Sequence, residues 1–153
     1  MGFVLRIDCP VLVRQDGSLE GTAMSRTYLR LLIGEILVIP IVTVFFKIVQ
    51  NRILAGMLAG AVFVALGLWI FFEGLRSRPF RRSPTFWLGC VHLFVISLPL
   101  IITRIANSAL AFDRVLVLGL PGPLFHQLST GIYFLLMGAT VFDYVSARKR
   151  KAF

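Results

Sequence analysis

A chain of 153 residues that is 58% hydrophobic and only 15% charged lies outside the soluble norm of roughly 45–50% apolar residues, and its length is that of one domain. The net charge of +9 argues against a nucleic-acid role because the cations cluster at the edges of long uncharged runs, as juxtamembrane residues do. Cys9 in a polar leader and Cys90 inside an apolar run form no Cys-x-x-Cys pair and are poorly placed for a disulfide.

Residues 1–27 read as a leader on the side of the membrane that retains positive charge. Phe3–Cys9 and Val11–Arg14 are β-rich, and Gln15-Asp16-Gly17-Ser18 carries turn chemistry, so a short edge hairpin interrupted by Pro10 is expected. Met24 is a second candidate start. The first apolar block begins near Leu29 and has no small-residue cleavage site after it, so it does not read as a cleaved signal peptide.

Four runs follow, each long enough to cross ~30 Å of hydrocarbon as a helix rising ~1.5 Å per residue. Their predicted bounds are 28–48, 53–74, 85–104 and 124–147, within one transmembrane domain of residues 28–147 that ends in a basic tail, 148–153. Pro40 lies near the centre of the first span, where the freed carbonyl of Ile36 predicts a kink. The second span carries Gly56, Gly60, Gly67 and Gly74, the last three at intervals of seven, a stripe that lets a neighbouring backbone approach closely. The third has Pro99 in its second half. The connector of residues 105–125 contains apolar Val115–Leu120 before Pro121-Gly122-Pro123, and a turn of interfacial helix is expected there. In the fourth span His126, Ser129, Thr130, Tyr133, Met137, Thr140 and Tyr144 fall within an arc of about 100°, a polar stripe that should face the bundle or another subunit.

The cations fix an expected orientation. Arg6, Arg14, Arg26 and Arg30 precede span one, Arg76, Arg78, Arg81 and Arg82 separate spans two and three, and Arg148, Lys149, Arg150 and Lys151 form the tail. Only Lys47, Arg52, Arg104 and Arg114 stand on the opposite side, which predicts both termini inside and basic clusters against anionic headgroups. The expected fold class is an all-α membrane protein: a four-transmembrane-helix bundle, N-in/C-in, with a short β-rich N-terminal leader. A bacterial inner membrane and an organellar inner membrane fit equally.

Ionisable groups within spans cost roughly 2.5–3.5 kcal/mol at a helix centre, so they are the places to look for function. Glu35, Glu73, His92 and Asp143 bring one such group from each helix toward the same leaflet, a candidate proton or cation site. The competing expectation is interfacial pairing of Glu35 with Arg30, Glu73 with Arg76 and Asp143 with Arg148. His92 and His126 should differ in depth by roughly 20 Å at 1.5 Å per residue, too far to ligate one haem between them. The sequence has no phosphate loop, zinc pattern or nucleophile elbow, and no cofactor is predicted beyond bound lipid.

Gly34-Glu35-Ile36, a glutamate in the first of four short spans, is similar to the pattern of the small multidrug exporters. The chain departs from that pattern in its leader, its basic tail and its length. Four-span disulfide oxidants need two cysteine pairs, which are missing, and lipoprotein signal peptidases need an outer aspartate dyad where only Asp113 stands. No family is assigned on these residues. Two functions are expected from the pattern. The first is a non-catalytic integral subunit that packs, through its small-residue and polar stripes, against other membrane subunits of a respiratory, photosynthetic or transport assembly, or against itself. The alternative is a small oligomeric ion- or proton-coupled transporter or channel using Glu35 and His92.

Overall fold

The computed structural model describes residues 16–108 and 110–149. The β-rich stretches Phe3–Cys9 and Val11–Arg14, together with Arg150 and Lys151 of the tail, lie outside the described residues. Four helices are long and apolar enough to cross a membrane: Met24–Ile48, Arg52–Arg76, Pro84–Ala106 and Gly122–Lys149.

Helix α1 (Asp16–Ile48) starts inside the stretch expected to turn, and it runs on through Pro40. Asp and Ser are common both in turns and in the first turn of a helix, and here the backbone of the stretch from Asp16 is helical. Asn51 starts α2 (Arg52–Arg76) by accepting from the Ile53 and Leu54 N–H groups at 3.0 and 3.2 Å. The connector that follows holds the single turn α3 (Arg78–Arg81). Ser77 and Ser83 then cap α3 and α4 (Pro84–Val91), each with a proline in the first turn, where its missing N–H costs nothing.

The third crossing is not a uniform α-helix. Between α4 and α5 (Leu98–Ala106) the chain widens into a π-turn, His92–Ser97, in which the Leu98 N–H bonds the Leu93 carbonyl five residues back. Pro99 sits just beyond, with no N–H for the ordinary ladder, and the wide turn absorbs that gap. In the last connector a single 3-10 turn at Phe112–Arg114 is followed by a hairpin, β1 (Leu116–Val117) against β2 (Leu120–Pro121). Leu118 and Gly119 have φ of 52° and 82°, the two positive values a two-residue primed turn requires. Arg104 ties the start of this connector down, donating to the Leu110 carbonyl at 3.0 Å and lying over the Phe112 ring. Helix α6 (Gly122–Lys149) completes the chain.

Around the bundle α1 packs on α2, α2 on the third crossing, the third crossing on α6, and α6 back on α1. Sequence neighbours are spatial neighbours and the ring closes, as in an up-down bundle. One end carries the Tyr28–Phe80 ring contact and exposed Arg76, Arg78, Arg81, Arg82, Arg148 and Lys149; this is the basic end. Within the hydropathy windows of the four crossings only 17–39% of residues are buried, so the outward apolar faces require lipid.

The glycines of α2 are spent inside this ring. A Cβ on Gly67 would stand 2.8 Å from Leu93 Cβ, one on Gly74 would enter the Phe86 ring, and Gly60 faces Ile101 at 3.6 Å. Gly89 answers from α4, where a Cβ would meet Ile70 at 2.5 Å. Gly56 has nothing within 4 Å. Gly67→Ala and Gly74→Ala are therefore expected to lose about 1–3 kcal/mol by overpacking. Gly56→Ala should gain up to about 1 kcal/mol of helix propensity. Reversible unfolding in mixed detergent micelles measures the difference, and equal responses at the three positions would contradict the packing.

Candidate functional site

Helix α1 carries Glu35 on the stripe it turns inward, between buried Leu31 and Val38. The side chain is completely buried. Its Oε1 accepts the Thr140 hydroxyl at 2.8 Å, and its backbone carbonyl accepts the Tyr133 hydroxyl. Tyr133 and Thr140 are seven apart on α6 and therefore share a face, so one stripe of α6 grips one residue of α1 twice. The Tyr133 ring is held edge-on to Phe63 at 5.3 Å and lies 5.8 Å from the imidazole of His92.

His92 opens the π-turn and is buried. Its Nδ1 is 3.2 Å from the Ser97 hydroxyl. Residues five apart point in different directions on an α-helix, and the wider turn brings these two together. Two side-chain atoms in this region have no hydrogen-bond partner: Glu35 Oε2 and His92 Nε2. Native interiors leave few such groups, because each forfeits about 1–3 kcal/mol of solvation.

The four-residue convergence expected from sequence divides in two. Glu35 and His92 flank Tyr133. Asp143, one turn beyond Thr140 on α6, does something else: its Oδ2 accepts the Thr85 N–H at 3.0 Å and the Thr85 hydroxyl at 2.6 Å. A carboxylate at the open amides of α4 meets the positive end of that helix, so Asp143 fastens α6 to the start of the third crossing. Glu73 is half-buried at the basic end of α2, with its carbonyl accepting the Ser77 N–H. Glu35 takes its hydrogen bond from Thr140 and not from Arg30, which is exposed.

The polar stripe of α6 divides in the same way. Tyr133 and Thr140 are buried, Tyr144 is half-buried, and His126 and Thr130 are exposed, with the Thr130 hydroxyl donating to the His126 carbonyl at 3.0 Å. His126 stands edge-on to Phe112 at 6.4 Å, in surroundings that share nothing with those of His92. Ser97 and Thr85 are the functional neighbours that sequence reasoning missed. Thr85 had a signal, since it directly follows the Ser83-Pro84 helix start; Ser97 becomes a neighbour of His92 only through the π-turn.

The cluster offers one carboxyl, one imidazole and three hydroxyls, all buried. Such groups hold and pass a proton or coordinate a small cation. Among the described residues no three His, Cys, Asp or Glu side chains meet in a metal-binding group.

A double-mutant cycle on Thr85→Val and Asp143→Ala should return a coupling of about 0.6–1.7 kcal/mol, the range for an interhelical hydrogen bond in a membrane protein. A coupling near zero in detergent unfolding would place Asp143 among the solvated groups of the rim. No protein family, curated protein or solved structure matches this chain.

Proposed function

We propose that this chain is a small proton- or cation-coupled transporter or channel whose pathway passes Glu35 and His92. The observation that carries this reading is the pair of buried atoms without partners, Glu35 Oε2 and His92 Nε2, on either side of Tyr133. A bundle built only to pack gains nothing from a buried glutamate, and a leucine there would insert at lower cost. The orientation belongs to the same proposal. Twelve of the sixteen cations fall on the side of both chain ends, which supports both termini inside, with the basic end against anionic headgroups of a bacterial or organellar inner membrane.

The subunit reading changes its grounds. Gly60, Gly67 and Gly74 serve contacts within the chain, so that stripe no longer supports a partner. What favours a partner is the outer face of α6, where Leu124, Gln127, Leu128, Gly131, Ile132 and Leu135 line an open groove. A Cβ on Gly131 or Gly138 meets nothing within 4 Å, so a second helix can come close there. The two readings are compatible, since small transporters commonly need a second copy to enclose a pathway.

The purified full chain, reconstituted in vesicles under a pH or cation gradient, separates them. Glu35→Gln and His92→Gln should each slow ion flux about a hundredfold, the usual worth of a positioned proton-transfer group, with the fold intact by circular dichroism. Unchanged flux in folded Glu35→Gln would remove the transport reading. Gly131→Leu should release any companion or second copy that co-purifies in mild detergent, and retention of it would remove the α6 groove as the contact.

A further inference from the structure

The transport reading leaves open which ion the site takes, and the hydrogen-bond geometry answers that question. Resting on that reading, we infer that the ion is a proton, shared between the Glu35 carboxyl group and the His92 imidazole, whose Oε2 and Nε2 are the buried atoms left without a partner. The two atoms are chemically complementary. Each is wholly buried and unpartnered, each belongs to a group that exists with or without a proton, and the two residues meet the same tyrosine, Glu35 through its backbone carbonyl and His92 ring to ring. Transfer balances with no other reactant: the carboxylic acid gives up its O–H proton, the imidazole nitrogen takes it, and a carboxylate and an imidazolium result.

The neighbours accommodate both states without a change of rotamer. Thr140 Oγ1 lies 2.8 Å from Glu35 Oε1 and 3.0 Å from the Leu136 carbonyl, but the hydroxyl has one proton to donate. When Glu35 is a carboxylate, the hydroxyl donates to Oε1. When the proton sits on the carboxyl group, the hydroxyl turns to Leu136 and keeps a bond. On the other side, Ser97 Oγ accepts from or donates to His92 Nδ1 at 3.2 Å, so either ring tautomer and the doubly protonated ring all keep a partner.

A metal cation is served worse. Calcium takes six to eight oxygen ligands and magnesium six, and a zinc site needs three or four protein ligands. The cluster supplies the two carboxyl oxygens, His92 Nε2, the Thr140 hydroxyl and a Tyr133 hydroxyl already committed to the Glu35 carbonyl, and among the described residues no third His, Cys, Asp or Glu joins Glu35 and His92 in a metal-binding group. The buried or half-buried titratable groups on the elements packed around Glu35 are Tyr133, Asp143 and Tyr144 on α6, Glu73 on α2, and Cys90, His92 and Arg104 in the third crossing, whereas Arg52, Arg76, His126, Arg148 and Lys149 are exposed. Asp143 is engaged by Thr85, and Arg104 donates to the Leu110 carbonyl in the last connector.

Infrared spectroscopy of the reconstituted full chain tests the proton directly, without requiring flux. A carboxylic-acid C=O band should appear and vanish with pH, and Glu35→Gln should abolish it. His92→Gln should move its midpoint by about one pH unit or more, since coupled groups titrate as a pair, while Asp143→Asn should leave it in place. If Glu35→Gln does not fold, Thr140→Val identifies the band instead by shifting its frequency through loss of a hydrogen bond. The proton assignment is overturned if no band titrates, if the midpoint ignores His92→Gln, or if sodium or potassium at fixed pH displaces the acid band. A titrating band that responds to His92→Gln in vesicles with no flux of any ion would support the shared proton and defeat the transport reading alone.

Discussion

The contact between Glu35 of α1 and the Tyr133–Thr140 stripe of α6 is the constraint on which the arrangement turns, because it closes the ring of helices. Lipid gives helices no hydrophobic reason to associate, so close packing and hydrogen bonds decide which faces meet. The magnitudes show that stability is not what this contact maximises. Inserting a glutamate costs roughly 2.5–3.5 kcal/mol, and an interhelical hydrogen bond returns about 0.6 and at most about 1.7 kcal/mol. Glu35 is therefore held at a net loss, with one oxygen left unsatisfied, and a residue kept on those terms is explained by what it does.

The loss is tolerable because the rest of the ring packs closely. Gly67 and Gly74 let the third crossing lie against α2 with Leu93 and Phe86 filling the space a side chain would take, and Gly89 returns the favour to Ile70. Tight contact on that side supplies dispersion energy that a polar cluster cannot. It also fixes the π-turn against α2, with Phe63 of α2 touching both the His92 and the Tyr133 rings at 5.6 and 5.3 Å. The small-residue stripe and the polar site are thus one design seen from two sides: glycines bring the backbones together, and the cluster occupies the seam.

Much of this was legible in the residues. Four apolar runs, the ionisable Glu35 and His92 within them, and Tyr133 with Thr140 on one α6 face all follow from hydropathy and the 3.6-residue period, and the four crossings have lengths and places close to those expected. What escaped has physical causes. The convergence of Glu35, Glu73, His92 and Asp143 rests on depth alone, and depth says nothing about azimuth around the bundle; Asp143 bonds Thr85, and Glu73 is half-buried at the basic end. The partnership of His92 and Ser97 breaks the helical period, so no periodic reading finds it. The hairpin at Leu116–Pro121 hides because leucine is an unfavoured residue at φ 52°, costing roughly 1–2 kcal/mol that tertiary context overrides. The start of α1 at Asp16 was obscured because turns and helix beginnings share a vocabulary.

Glu35 and Asp143 show how environment separates two carboxylates that neighbour the same stretch of α6. Thr140, which bonds Glu35, and Asp143 itself are one turn apart, yet their surroundings are opposite. Asp143 receives an amide and a hydroxyl proton at the start of α4, where the helix terminus supplies partial positive charge whatever the state of the membrane. It is anchored. Glu35 receives one hydroxyl that has a second acceptor within reach, and its other oxygen receives nothing. Asp143 has two donors, one of them a backbone amide that cannot turn away, whereas the one donor to Glu35 has a second acceptor within reach. The division of labour follows: Asp143 fastens the third crossing to α6, and Glu35 keeps one carboxyl oxygen unengaged, which is what the proposed proton exchange with His92 requires.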